Sequence, residues 1–225
     1  MLAKVNADYS QYPISIRDVM PYVKGELCEL RNYWQVYHYF FMDNEERTKF
    51  FAERFGPLLG IFQNLLEERM ILSIACLTDK DTKIQRNLSL WSLTVAIPFA
   101  KEKDFEQKIN SALAAITATV SKTRTHRHKQ IAHFDREVSL GISPLPTVLL
   151  KEFQLALEQM EEFLNLFHWE FAKTTVGYDS LSSGEIFETA LVTACKSKVY
   201  DELEGEKIIS FGEWRRRIEK WPWWS

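Results

Sequence analysis

Between Leu149 and Phe171 the apolar residues Leu149, Leu150, Phe153, Ala156, Leu157, Met160, Leu164, Phe167 and Phe171 recur every three or four positions. That period belongs to one face of an α-helix, because a strand would alternate its faces at every second residue. Comparable stripes recur upstream. Leu27, Leu30, Tyr33, Trp34, Tyr37, Phe40 and Phe41 define a helix from about residue 22 to 41, with an aromatic face suited to a core or a partner. Leu58, Ile61, Phe62, Leu65, Leu66, Met70 and Ile74 define another, and Phe105, Ile109, Ala112, Leu113, Ile116 and Val120 a third that is expected to run unbroken to about Phe134. Each stripe has to be buried against another helix, so the chain is expected to be all-α. Strand patterns are nearly absent, although Leu88 to Ile97 is apolar enough to leave helix and strand both open.

Punctuation fits this reading. Asp43 and Asn44 are capping candidates for a helix carrying Phe50, Phe51 and Phe55, and Gly56-Pro57 ends it and starts the next. Thr78 to Asp81 forms a polar turn, Pro98 interrupts the apolar run, and Gly141, Pro144 and Pro146 mark a loop. His168 is expected on the flank of the helix that ends near Phe171. Beyond Gly177, Ser182 and Glu185 form a capping-box pattern ahead of a short helix through Ala190, Leu191 and Ala194.

The densest chemistry lies at the end of the third stripe, in Arg127-His128-Lys129-Gln130-Ile131-Ala132-His133 and Phe134-Asp135-Arg136. From Ser121 to Arg136 there are five basic residues, Lys122, Arg124, Arg127, Lys129 and Arg136, against Asp135 alone, a formal +4. The whole chain carries −3, so the remainder is at −7. A local positive field in an acidic protein points to an anionic ligand held at one place. On a continuous helix Arg127 and Ile131 share the apolar stripe, and a half-buried guanidinium, which cannot shed its charge, needs an anion close by. At about 100° per residue His133 falls roughly 120° from Arg127, so on one regular helix the two do not meet. Either the helix distorts or a second copy of the segment completes the site. His126, His128 and His133 do not converge on one face and no cysteine is near, which argues against a zinc site.

Arg127, the polar His128, four residues and then His133 resemble the signature of the HEPN superfamily. Ala132-His133-Phe134-Asp135 is similar to the ending found in its AbiU-like abortive-infection branch, and Leu77-Thr78-Asp79 with Asn87-Leu88-Ser89-Leu90 also resembles that branch. The likeness covers roughly residues 20 to 172. It implies a HEPN-like antiparallel helical bundle over residues 1–175, with a helical and aromatic extension over 176–225. It also implies a metal-independent endoribonuclease in toxin or phage-defence biology that works as a homodimer. In that reading Arg127 stabilises phosphate charge, His133 is the acid or base and His128 orients it or touches the phosphate. Lys122, Arg124, Lys129 and Arg136 would then bind RNA. The alternative is a non-catalytic dimer of the same fold that binds RNA, a nucleotide or a protein partner. Family partners include nucleotidyltransferase antitoxins that modify a tyrosine two residues after the histidine; Asp135 occupies that position here.

Hydrophobic content of 46% and charged content of 26% are those of a soluble globular protein. Cys28, Cys76 and Cys195 are too scattered for a disulfide framework, and the first ten residues lack the apolar core of a signal peptide, so a cytoplasmic protein without a cofactor is expected. No run is long and apolar enough to span a membrane. No phosphate-binding glycine loop, nucleophile elbow or HExxH motif is present. The last stretch holds Trp214, Trp221, Trp223 and Trp224, four of the seven tryptophans, with Arg215, Arg216 and Arg217 among them. Such a tail could dock on its own domain or a dimer mate, grip RNA by stacking, or lie on a membrane surface.

Overall fold

A computed structural model describes residues 9–80, 87–97, 103–132, 135–178 and 183–213. His133, Phe134, Ser182, the side chain of Glu185 and the whole segment from Trp214 to Ser225 lie outside the described residues, as do Asp81 and Pro98. Every regular element among the described residues is helical.

A single turn, α1 (Ile14–Arg17), leads into α2 (Met20–Phe41). Asn44 accepts a hydrogen bond from the Arg47 amide and so caps α3 (Glu45–Phe55), while Asp43 pairs with the Arg47 guanidinium. Gly56 turns the corner at φ +51°, a value that L side chains resist, and Pro57 opens α4 (Pro57–Thr78). Ser89 donates to the Asp79 carbonyl at 2.7 Å and its amide bonds Ser92, fixing the start of the short α5 (Leu90–Val95), so the ambiguous apolar run is a helix. The long helix expected from Phe105 is instead broken. α6 (Lys103–Thr119) stops at Val120, and α7 (Ser121–His126) begins beyond it. Thr117, Thr119 and Thr125 each turn their hydroxyls back onto the carbonyl four residues earlier. Such back-bonding bends helices, and the β-branched side chains around the fully buried Val120 add crowding. After the one-turn α8 (Arg136–Ser139) comes α9 (Leu150–Ala172), which ends at Lys173 in the left-handed conformation. α10 (Ser183–Gly205) is longer than the short helix read from sequence.

Paired residues give the packing directions. Along α2 and α4, Tyr37 meets Glu67, and Glu26 meets Ser73, so the two run antiparallel. Arg31 pairs with Glu161 and Trp34 stacks on Phe153, placing α9 antiparallel to α2. Phe105 meets Phe167, while Lys122 meets Glu152, so α6 and α7 run antiparallel to α9. The core between them contains Leu27, Leu30, Trp34, Met70, Ile74, Leu113, Ile116, Met160, Phe163 and Phe167, all buried. The α2 aromatic face is therefore mainly core. α10 lies on α2 and α3, where Phe187 stacks on Tyr39 and Ala194 joins Phe51 and Leu59 in a second cluster.

Two side-chain placements depart from the sequence reading. His168 is not on a flank: it is 2% exposed, in the main core, where its Nδ1 is hydrogen-bonded to the buried Tyr12 hydroxyl. The α4 stripe is also not uniformly internal. Leu66, Met70 and Ile74 are buried, whereas Leu58, Ile61 and Leu65 face solvent.

Candidate functional site

The basic segment lies against the C-terminal half of α4, and one ion pair fixes its start. Arg124 reaches Asp79 at 2.7 Å and donates to the Thr78 hydroxyl at 3.1 Å, bracing α7 on the last turn of α4. Thr78 is itself buried and donates back to Ile74. On the opposite side Lys122 holds Glu152 at 2.7 Å and ties α7 to the beginning of α9. That bond, with the Leu149 amide, holds the Glu152 carboxyl below its ordinary pKa.

From Arg127 to Ala132 the backbone leaves the α-helical winding and forms a π-helical turn. Wider i→i+5 turns of this kind are rare and are found disproportionately at functional sites. The α-helical wheel that set Arg127 and His133 about 120° apart does not apply across this turn. At its end the Asp135 amide bonds the Lys129 carbonyl, and the Asp135 carboxylate caps α8 through the amides of Glu137 and Val138. Asp135 thus has a structural task in the position where the family resemblance placed a motif residue.

Arg127 is half-buried on the α4 side of the turn, close enough to Cys76 for its charge to lower the thiol's pKa, although burial keeps that pKa raised on balance. Its Nε is shut off from solvent and has no hydrogen-bond partner. A buried guanidinium nitrogen left in this state is costly, and because the residue as a whole is only half-buried its charge remains available to an anion outside. The Nδ1 of the adjacent His126 is likewise buried and unpartnered. Burial pushes the His126 pKa down, against an opposing pull from Glu67, so this imidazole is neutral at neutral pH. Ile131 packs against the main core and anchors the turn from the other side.

The basic residues singled out in the sequence thus separate into two groups. Arg124 and Lys122 are in ion pairs that hold the segment in place, whereas Lys129 is half-buried and Arg136 and His128 are exposed around the π turn. Two contributors escaped the sequence reading: His126 as a neutral, unpartnered neighbour of Arg127, and Asp79 as the partner of Arg124. The distance of 45 residues between Asp79 and Arg124 carries no local signal, and only the packing of α7 on α4 reveals the pair. Among the described residues no helix is long and apolar enough to cross a membrane, and no group of three His, Cys, Asp or Glu side chains could hold a metal ion.

No curated protein and no solved structure matches this chain. The family model described as HEPN AbiU2 matches residues 17–189, a span that includes α2, α4, α6, α7 and α9, the Arg124–Asp79 brace and the π turn. The chain accordingly belongs to the AbiU2 abortive-infection branch of the HEPN superfamily.

Proposed function

We propose that the protein is an effector of abortive infection that cleaves RNA without a metal ion, acting as a homodimer in which two π turns form one composite site. The observation that carries this reading is the half-buried Arg127, its Nε without a hydrogen-bond partner, at the start of a π-helical turn. It supplies a pre-positioned cation whose natural complement is a phosphodiester oxygen.

RNA carries its own nucleophile. A base removes the proton of the 2′-hydroxyl, the oxygen attacks the adjacent phosphorus, and the 5′-oxygen of the next nucleotide leaves with a proton from an acid. The products are a 2′,3′-cyclic phosphate and a 5′-hydroxyl. His133 has the side chain for either proton transfer, since an unperturbed imidazole titrates near neutrality. Arg127 holds the non-bridging oxygens as charge accumulates on them. In this reading His128, exposed at the second residue of the turn, touches the phosphate or orients His133, and Lys129 and Arg136 supply further positive charge for the strand. Arg124 and Lys122 serve by bracing the segment.

The experiment is incubation of a mixed RNA pool with the purified protein in excess EDTA, alongside Arg127→Ala and His133→Ala. Cleavage that survives chelation, leaves cyclic phosphate ends and disappears in both variants is the expected result. RNA that stays intact while still bound by all three proteins would replace the enzyme with a binding module of the same fold.

A further inference from the structure

The N-terminal half of α4 presents an apolar stripe to solvent. Leu58, Ile61 and Leu65 are 61%, 57% and 59% exposed, and Phe55, at the end of α3, is 42% exposed. At about 100° and 1.5 Å per residue, positions 58, 61 and 65 fall within roughly 60° of arc and about 10 Å of helix. The stripe borders a surface that the C-terminal part of the chain already covers, because Leu59, the neighbour of Leu58, is buried with Phe51 and Ala194 of α10.

α10 also delivers the chain to this corner. Phe187 stacks on Tyr39 with ring centroids 4.3 Å apart, Lys198 lies 5.9 Å from the Phe50 ring, and Asp201 pairs with Arg54. The helix therefore runs along α3 towards Gly56. Past Gly205 the backbone folds back: the Ile208 amide bonds the Leu203 carbonyl at 2.9 Å, and the Gly212 amide bonds the Glu204 carboxylate at 2.8 Å. Residues up to 213 are thus held against the last turn of α10, whose Asp201 pairs with Arg54 of α3 two residues before Gly56. Residues 214–225 follow, with Trp214, Trp221, Trp223 and Trp224. Twelve residues can reach up to about 40 Å, several times the length of the stripe.

We propose that the segment 214–225 docks in cis on this stripe, with Trp221, Trp223 and Trp224 covering Leu58, Ile61 and Leu65. Each indole can bury about 150–250 Å² of surface, which suits a stripe of this size. A second copy is a poorer occupant, since three aliphatic side chains and the edge of a Phe fall well short of the roughly 800 Å² per partner of a stable interface. Charge favours the tail over RNA or an anionic lipid surface. Glu68, three residues beyond Leu65, and Glu53 on α3 are both exposed, and they complement Arg215, Arg216 and Arg217 while repelling phosphate. The docked segment would close the edge of the bundle on the α3 side and leave the π turn open.

The test is a photo-crosslinking probe in the full chain, Ile61→p-benzoylphenylalanine, with isotopically light and heavy protein mixed before irradiation. The expected product joins the peptide around residue 61 to one from 214–225 of the same isotopic label. It should be lost when Trp221, Trp223 and Trp224 are changed to Ser, and a probe at the exposed Val95 should not form it. Cross-links between light and heavy chains would assign the stripe to a second copy, and cross-links to another segment, or none, would overturn the proposal. Independently, Leu58→Asp with Leu65→Asp should increase the fraction of tryptophan emission open to iodide quenching. An unchanged fraction, with the far-ultraviolet helix signal retained, would also refute cis docking.

Discussion

Protonation of His168 is expected to destabilise the fold in mild acid. The imidazole is 2% exposed, with Nδ1 bonded to the Tyr12 hydroxyl and Nε2 buried without a partner. Burial, reinforced by the positive charge of Lys24, pushes its pKa down from 6.5 to about 4. In the unfolded chain the ring takes a proton near its ordinary pKa, so between pH 6.5 and 4 the unfolded state binds more protons than the folded one. Stability therefore falls as pH drops through that window, and it is fully present above it. At about 1.4 kcal/mol per pH decade, moving from about pH 7.5 to pH 4.5 should remove roughly 2 to 3 kcal/mol through this residue. Other groups titrate over the same range, so the informative quantity is a difference. Replacing both partners, Tyr12→Phe with His168→Phe, removes the titration and leaves no orphaned polar atom, a change that is nearly neutral when shapes match. Urea denaturation of both proteins at the two pH values gives the comparison. The double variant should lose roughly 2 to 3 kcal/mol less than the parent on acidification. Equal losses in the two proteins would refute the reasoning, because the imidazole would then titrate alike in the folded and unfolded states.

Other expectations are more local. Asn44→Ala removes the amide cap of α3 and should lower stability by about 1 kcal/mol in the same denaturation assay. Gly56→Ala forces a side chain into φ +51° and should cost about 1 to 2 kcal/mol even though a Cβ there meets nothing within 4 Å, so an unchanged midpoint would show that the corner relaxes freely. Asp79→Asn weakens the brace on Arg124; with both side chains partly exposed, the loss in stability should be only about 1 kcal/mol or less. If the brace positions the π turn, RNA cleavage should fall by a larger factor than that stability loss explains. Light scattering should give a dimer at micromolar concentration; a strictly monomeric protein that still cleaves RNA would exclude a composite site.

How much of this was legible in the sequence depends on how local the determining interactions are. The stripe from Leu149 to Phe171 identified α9 because helical period and burial coincide there: Phe153, Ala156, Leu157, Met160, Leu164 and Phe167 are all buried. The same logic overreached on α4, where Leu58, Ile61 and Leu65 share the helical spacing of buried positions but face solvent. Periodicity shows that a face is apolar, not which neighbour covers it. It overreached again at Val120, where the backbone departs from helical values at ψ 6° and threonine hydroxyls on the approach share carbonyls four residues back. The placement of His168 was missed for a related reason, since its partner Tyr12 lies 156 residues away. The site divides along the same line. Arg127 was legible as a guanidinium on an apolar stripe, and it is half-buried with an unpartnered nitrogen. The π turn around it was not, because it follows a segment held by a distant partner, Arg124 pinned to Asp79, and closes with a non-helical bond from the Asp135 amide to the Lys129 carbonyl that no periodicity signals. A six-residue π turn has poorer intrinsic geometry than the α-helix and persists where its surroundings fix it. In the proposed reading the brace supports the turn that carries Arg127, so substitutions at Asp79 or Arg124 are expected to lower RNA cleavage without touching a motif residue.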